Sequence, residues 1–105
     1  MRVVCLISGS GSNLQALIDA KEQNALGSAE LVAVISNVPD AQGLERATRA
    51  SIPTEVLSHR DFADRDRFDL ALRERIDAYQ PDLVVLAGFM RILSAHFVEA
   101  YSDRL

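Results

Sequence analysis

Cys5 is the only cysteine in the chain, so no internal disulfide is possible and nothing points to an oxidising compartment. Positive charge is also scarce: 11 Lys and Arg stand against 15 Asp and Glu, a net charge of −4. That balance argues against broad binding to nucleic acid or an anionic membrane, because nothing offsets repulsion from their phosphates. It leaves room for a local anion site built from backbone N–H groups. Long apolar runs are missing too. The stretch over residues 3–7 is too short for a signal-peptide core or a membrane span, so the expected location is cytoplasmic. There are no repeats, low-complexity tracts or long linkers. The histidines, His59 and His96, lack the Ser, Cys or carboxylate spacing of a catalytic triad or metal site. Both read as ordinary surface histidines, and no metal is expected.

The 105 residues are 49% apolar and 25% charged, which places the chain among single, soluble globular domains. Short apolar runs occur over 3–7, 31–35, 54–57 and 83–86. All but the third lack strict polar alternation, as suits strands of a parallel sheet buried on both faces. Helical patterns lie between them. The first covers 13–23, with Leu14, Leu17 and Ile18 at i, i+3, i+4 and Gly27 in the turn that follows. The second covers 42–50, with Asp40 as its candidate cap, Leu44 and Ala47 inward, and Pro53 forbidding continuation. The third starts from Asp64 as N-cap, lines up Phe68, Leu72, Ile76 and Tyr79, and stops before Pro81. A short fourth helix is expected from Ser94, carrying Phe97, Val98 and Tyr101. This β-α alternation predicts an α/β fold: a Rossmann-like parallel sheet with helices on both faces. In such sheets, ligands bind outside the carboxyl ends of the strands. Function should therefore sit in the loops after Ile7, Ile35, Leu57 and Leu86.

The first of these loops reads Ser8-Gly9-Ser10-Gly11-Ser12-Asn13. Its glycines let the backbone turn tightly and approach a ligand closely. The unpaired N–H groups of the next helix, with the helix dipole, favour an anion there. Ser8, Ser10, Ser12 and Asn13 offer further donors. A dinucleotide fingerprint would need a third glycine where Leu14 stands, and an acid at the end of the second strand, which instead ends in Ser36-Asn37. A Walker A loop would need Gly-Lys-Ser/Thr. A monophosphate therefore suits the loop better than NAD or ATP; the competing reading is a tight turn with a polar cap.

The fourth loop, Ala87-Gly88-Phe89-Met90-Arg91-Ile92-Leu93-Ser94, is unusually apolar for its place. Either it walls a flat organic ligand or it fills the core beneath the last helix. Arg65 opposes the dipole of the third helix, so helix stability does not explain it. It is placed to meet an anionic group, although Arg60 and Arg67 nearby also suit a solvated face. Cys5, within a buried strand, reads as a packed thiol.

These stretches together carry a resemblance. Residues 4–16, around Gly9-Ser10-Gly11-Ser12-Asn13-Leu14-Gln15, resemble the amino terminus of the phosphoribosylglycinamide formyltransferases. So do Gly43-Leu44-Glu45-Arg46-Ala47 and residues 81–94, in the same order and spacing. The resemblance implies transfer of a formyl group from 10-formyltetrahydrofolate to 5-phosphoribosylglycinamide in purine biosynthesis. It places the substrate phosphate on Gly11, Ser12 and Asn13, and folate against Arg65, Met90, Arg91, Ile92 and Leu93. It implies no nucleic-acid, membrane or metal partner, and it leaves a homodimer open. Residues 1–105 would be the amino-terminal, substrate-binding domain. The family's Asn-x-His-Pro segment is expected just after Leu105 and a catalytic aspartate later. Neither is in the 105 residues, so no catalytic residue is assigned here and these residues alone are expected to be inactive. Other formyl-folate transferases or hydrolases, and a non-catalytic phosphate-binding module, are the competing readings.

Overall fold

The computed structural model describes residues 1–23, 27 and 29–89. Its strands are β1 (Arg2–Ile7), β2 (Glu30–Ser36), β3 (Thr54–Val56) and β4 (Leu83–Leu86). Its helices are α1 (Ser12–Glu22), α2 (Gln42–Arg49) and α3 (Arg65–Asp77), with a 3₁₀ turn at His59–Asp61 that the sequence pattern did not announce. The strands form one parallel sheet in the order β3-β2-β1-β4. The expected short helix from Ser94, with Phe97, Val98 and Tyr101, lies outside the described residues, as does His96.

β1 and most of β2 are buried on both faces, which is why they read as continuous apolar runs rather than alternating ones. Val3, Cys5 and Ile7 of β1 point to one face and pack with Leu14 and Ile18 of α1 and Ala47 of α2. Val4 and Leu6 point to the other and pack with Phe68, Leu72 and Ile76 of α3. Each fully buried side chain of this size is worth about 1.5–3 kcal/mol. Pairing of β1 with β2 steps from Val3↔Leu31 to Val4↔Ala33, so Val32 is an extra residue at an irregularity. β3 is a short edge strand whose Glu55 bridges to Arg75 of α3 at 2.9 Å.

Helix ends follow local chemistry. Asp64 caps α3 as expected: its carboxylate accepts a hydrogen bond from the Arg67 amide at 2.9 Å. Asp40 does not cap α2. The cap position is Ala41, with no side-chain hydrogen bond, because the chain enters α2 one residue later than an Asp40 cap requires. α2 gives way to Ala50 and Ser51, the latter at φ 61°, well before Pro53. No described helix is long and apolar enough to cross a membrane.

Strand order changes direction between β1 and β4: β2 and β3 extend to one side of β1, and β4 lies on the other. That is a topological switch point, where the loops leaving adjacent strands diverge and open a crevice. The loops after β1 and β4 flank it.

Candidate active-site crevice

The crevice holds a cavity of about 200 Å³, lined by Gly9, Ser10, Gly11, Ser12, Asn13, Ala87 and Gly88. Three of these come from the loop after β1, two from the first turn of α1 and two from the loop after β4. A second cavity of about 200 Å³ lies between the far ends of α1 and α2, by Glu22, Glu30 and Lys21. It sits at the amino end of β2 with two carboxylates in its wall, so it suits an anion poorly.

Gly11 is the cap residue of α1 and adopts a left-handed conformation, φ 77° and ψ 23°. No side chain caps the helix. The first turn of any α-helix has N–H groups with no partner four residues back. A left-handed residue followed by helical ones brings successive N–H groups together into a concave nest. The amides of Gly11, Ser12 and Asn13 occupy this position. Ser12 and Asn13 are solvent-exposed while Gly11 is buried, so the nest is open at its mouth and firm at its base.

The base is held by α2. The Gly43 amide donates to the Gly9 carbonyl at 3.0 Å, and Arg46 Nε donates to the Ser10 carbonyl at 2.7 Å. All described peptide bonds are trans, so each N–H points opposite to its C=O. With the carbonyls of Gly9 and Ser10 turned to α2, the amides of Ser10 and Gly11 turn away from it. The two glycines pack closely: a Cβ on Gly11 would sit 2.5 Å from the Gly43 Cα, and one on Gly43 would sit 3.1 Å from the Gly11 Cα.

Of the donors expected from the loop, Ser8 is otherwise engaged. It is buried, and its hydroxyl donates to Asn37 Oδ1. Asn37 is itself buried, and its amide donates to the Ile7 carbonyl. The end of β2, where a dinucleotide site needs an acid, is thus a buried amide tied to β1. Leu14, at the third glycine position of that fingerprint, is wholly buried in the core. Neither position carries the feature a dinucleotide fingerprint requires.

Arg65 is the first residue of α3 and is solvent-exposed; it is not among the residues lining the crevice. Met90, Arg91, Ile92 and Leu93 lie outside the described residues. Phe89, immediately before them, is half-buried against the core face that carries Phe68. Cys5 is fully buried, and desolvation pushes its thiol up to about 12, which suits packing rather than nucleophilic attack. The contacts that hold this loop against α2 were not legible in the sequence. Gly43 and Arg46 lie more than thirty residues beyond the loop they hold, and their only signal was membership of a recurring motif.

Residues 1–105 match the Formyl transferase family, and the chain belongs to it. Among curated proteins, it is 53% identical over 105 residues to the phosphoribosylglycinamide formyltransferase of Escherichia coli, covering all of this chain and 49% of that protein. It is 55% identical to the trifunctional purine biosynthetic protein adenosine-3 of Drosophila melanogaster, covering 99% of this chain and 8% of that one. The solved phosphoribosylglycinamide formyltransferase of Coxiella burnetii superposes with a TM-score of 0.93 at 49% identity, over 97% of this chain and 47% of that one. The chain thus spans about half the length of its bacterial relatives and a small part of the trifunctional ones.

Proposed function

We propose that these residues form the substrate-binding half of a phosphoribosylglycinamide formyltransferase of purine biosynthesis. They would hold the phosphate of 5-phosphoribosylglycinamide on the amides of Gly11, Ser12 and Asn13. The observation that carries the reading is the crevice at the β1–β4 switch point, where an uncapped helix start faces a cavity of about 200 Å³, with room for a phosphate group and part of the molecule that carries it. The positive end of the α1 dipole and the converging amides favour a doubly charged group there. The same cavity is walled by Ala87 and Gly88, which lead into Met90, Arg91, Ile92 and Leu93. Those four residues and Arg65 would meet 10-formyltetrahydrofolate, so donor and acceptor would approach each other across the switch point.

In the transfer itself, the substrate amine attacks the formyl carbon and negative charge grows on the formyl oxygen. Donors aimed at that oxygen lower the barrier, and an acid–base group moves the protons. The 105 residues hold no Asn-x-His-Pro segment to supply either role. Their contribution is to fix the phosphate, and with it the position of the amine.

Titrating the isotope-labelled chain with ribose 5-phosphate tests this. The amide resonances of Gly11, Ser12 and Asn13 should move first and saturate, while those of residues lining the opposite cavity, such as Lys21 and Ser51, stay put. Saturable shifts elsewhere with residues 11–13 unmoved would overturn the phosphate assignment.

A further inference from the structure

We propose that Arg46 is a positioning residue for the phosphate, acting on it through the loop after β1. The inference rests on the phosphate reading above and adds a group that the reading does not contain. Arg46 lies on α2, half-buried, and is not among the residues that line the cavity. Its Nε donates to the Ser10 carbonyl at 2.7 Å, and its Nη1 donates to Gln15 Oε1 at 3.3 Å. One guanidinium thereby grips the peptide just before the left-handed Gly11 and a side chain on the first turns of α1. Among the described residues, no carboxylate forms a salt bridge with it.

The Ser10–Gly11 peptide needs such a hold. Gly11 has no Cβ, so its φ is weakly restrained, and the peptide preceding it turns over at small cost. Turned over, it would present the Ser10 carbonyl oxygen to the cavity in place of the Gly11 N–H. An anion would then meet a partial negative charge where it had a donor. Arg46 fixes the favourable orientation with a charge-assisted bond of fixed geometry. Its unpaired positive charge also sits directly behind the nest, where it attracts an anion without touching it. The Gly43–Gly9 bond fixes the preceding peptide in the same sense, and Gly11 packs so closely on α2 that a Cβ added to it would sit 2.5 Å from the Gly43 Cα, which leaves the loop no room to retreat towards α2.

The test compares the unmodified chain with Arg46→Met and Arg46→Lys, titrating inorganic phosphate and then ribose 5-phosphate. Urea unfolding runs alongside on each. Arg46→Met should weaken phosphate binding by roughly tenfold, because the freed peptide spends most of its time turned over and apparent affinity falls with the fraction of loop that is competent to bind. Without ligand, it should also change the nuclear Overhauser contacts of the Gly11 amide proton, which report the orientation of the Ser10–Gly11 peptide and which loss of charge alone would leave in place. Arg46→Lys keeps the charge and the aliphatic stem but not the fixed Nε donor, so it should recover only part of the affinity. Affinity in Arg46→Lys equal to that of the unmodified chain would overturn the orientation argument, even if Arg46→Met fails to fold. So would an Arg46→Met chain that folds and binds phosphate normally. If the unmodified chain binds neither ligand, the phosphate reading itself falls, and that is visible before any variant is compared.

Discussion

Gly9 and Gly11 look alike in the sequence, two residues apart in one loop, yet the structure makes opposite demands on them. A Cβ on Gly9 would meet nothing within 4 Å, and no left-handed φ is found there. A Cβ on Gly11 would lie 2.5 Å from the Gly43 Cα and 3.2 Å from Arg46 Cδ, at φ 77°. Holding alanine in the left-handed region costs about 1–2 kcal/mol. Relieving a backbone overlap typically costs a further ~1–3 kcal/mol. Gly11→Ala should therefore lose about 2–5 kcal/mol, a large share of the ~5–15 kcal/mol that holds a typical domain. Gly9→Ala should stay within about 0.5 kcal/mol of the unmodified chain. Urea unfolding followed by circular dichroism measures both, with a common slope confirming that only stability has changed. To escape the overlap, the Gly11→Ala loop must move off α2. Its bonds from Gly43 and Arg46 should lengthen, and phosphate affinity should fall along with stability. Equal midpoints for the two variants would refute the claim that the loop is wedged against α2.

Other consequences are simpler to check. Asp64→Ala removes the α3 cap and should cost about 1 kcal/mol in the urea midpoint, whereas Asp40→Ala should cost next to nothing because Asp40 caps no helix. The Tyr79 phenol is pushed up from its ordinary 10 to about 12, first by its hydrogen bond with Glu55, then by desolvation and the Glu55 charge, with Arg75 pulling the other way. A raised folded value stabilises the fold below pH 10 and loses that contribution as pH rises from 10 to 12. In a Tyr101→Phe background, ultraviolet titration should show Tyr79 moving back towards its ordinary value in Glu55→Gln; an unmoved curve would count against that bond. Cys5 should resist thiol reagents in the folded chain and react at once in denaturant, given a thiol buried and pushed up to about 12.

The elements most legible in the sequence were those whose cause is local. Val3, Val4, Cys5, Leu6 and Ile7 form an unbroken apolar run, and only a strand covered on both faces requires that; the structure divides them between two cores. Phe68, Leu72 and Ile76 share a helical face, and Asp64 stands where a cap must stand. Asp40 shows the limit of the same logic. It is a good cap residue in a plausible place, but the register of the α2 entry is set by Gly43 fitting against Gly11, not by the cap. Ser8 shows it again. Its type suits anion binding, and only the neighbouring strand reveals that its hydroxyl belongs to Asn37.

The candidate site was readable to the same degree and for the same reason. An anion nest is a property of consecutive residues, so Gly11-Ser12-Asn13 after a buried strand announces it. What makes the nest specific is not consecutive. A glycine-rich loop left to itself samples many backbone states, and few of them aim several N–H groups at one point. Here α2 removes that freedom with a glycine-to-glycine contact and two hydrogen bonds, to Gly9 and Ser10, at neighbouring peptides. On the proposed reading, the motif at residues 43–47 belongs to the same device as the motif at residues 9–13, although no residue of it would touch the phosphate. One would supply the donors and the other would decide which way they face. A substitution in α2 that spares every residue lining the cavity should then change phosphate affinity as much as one in the loop itself.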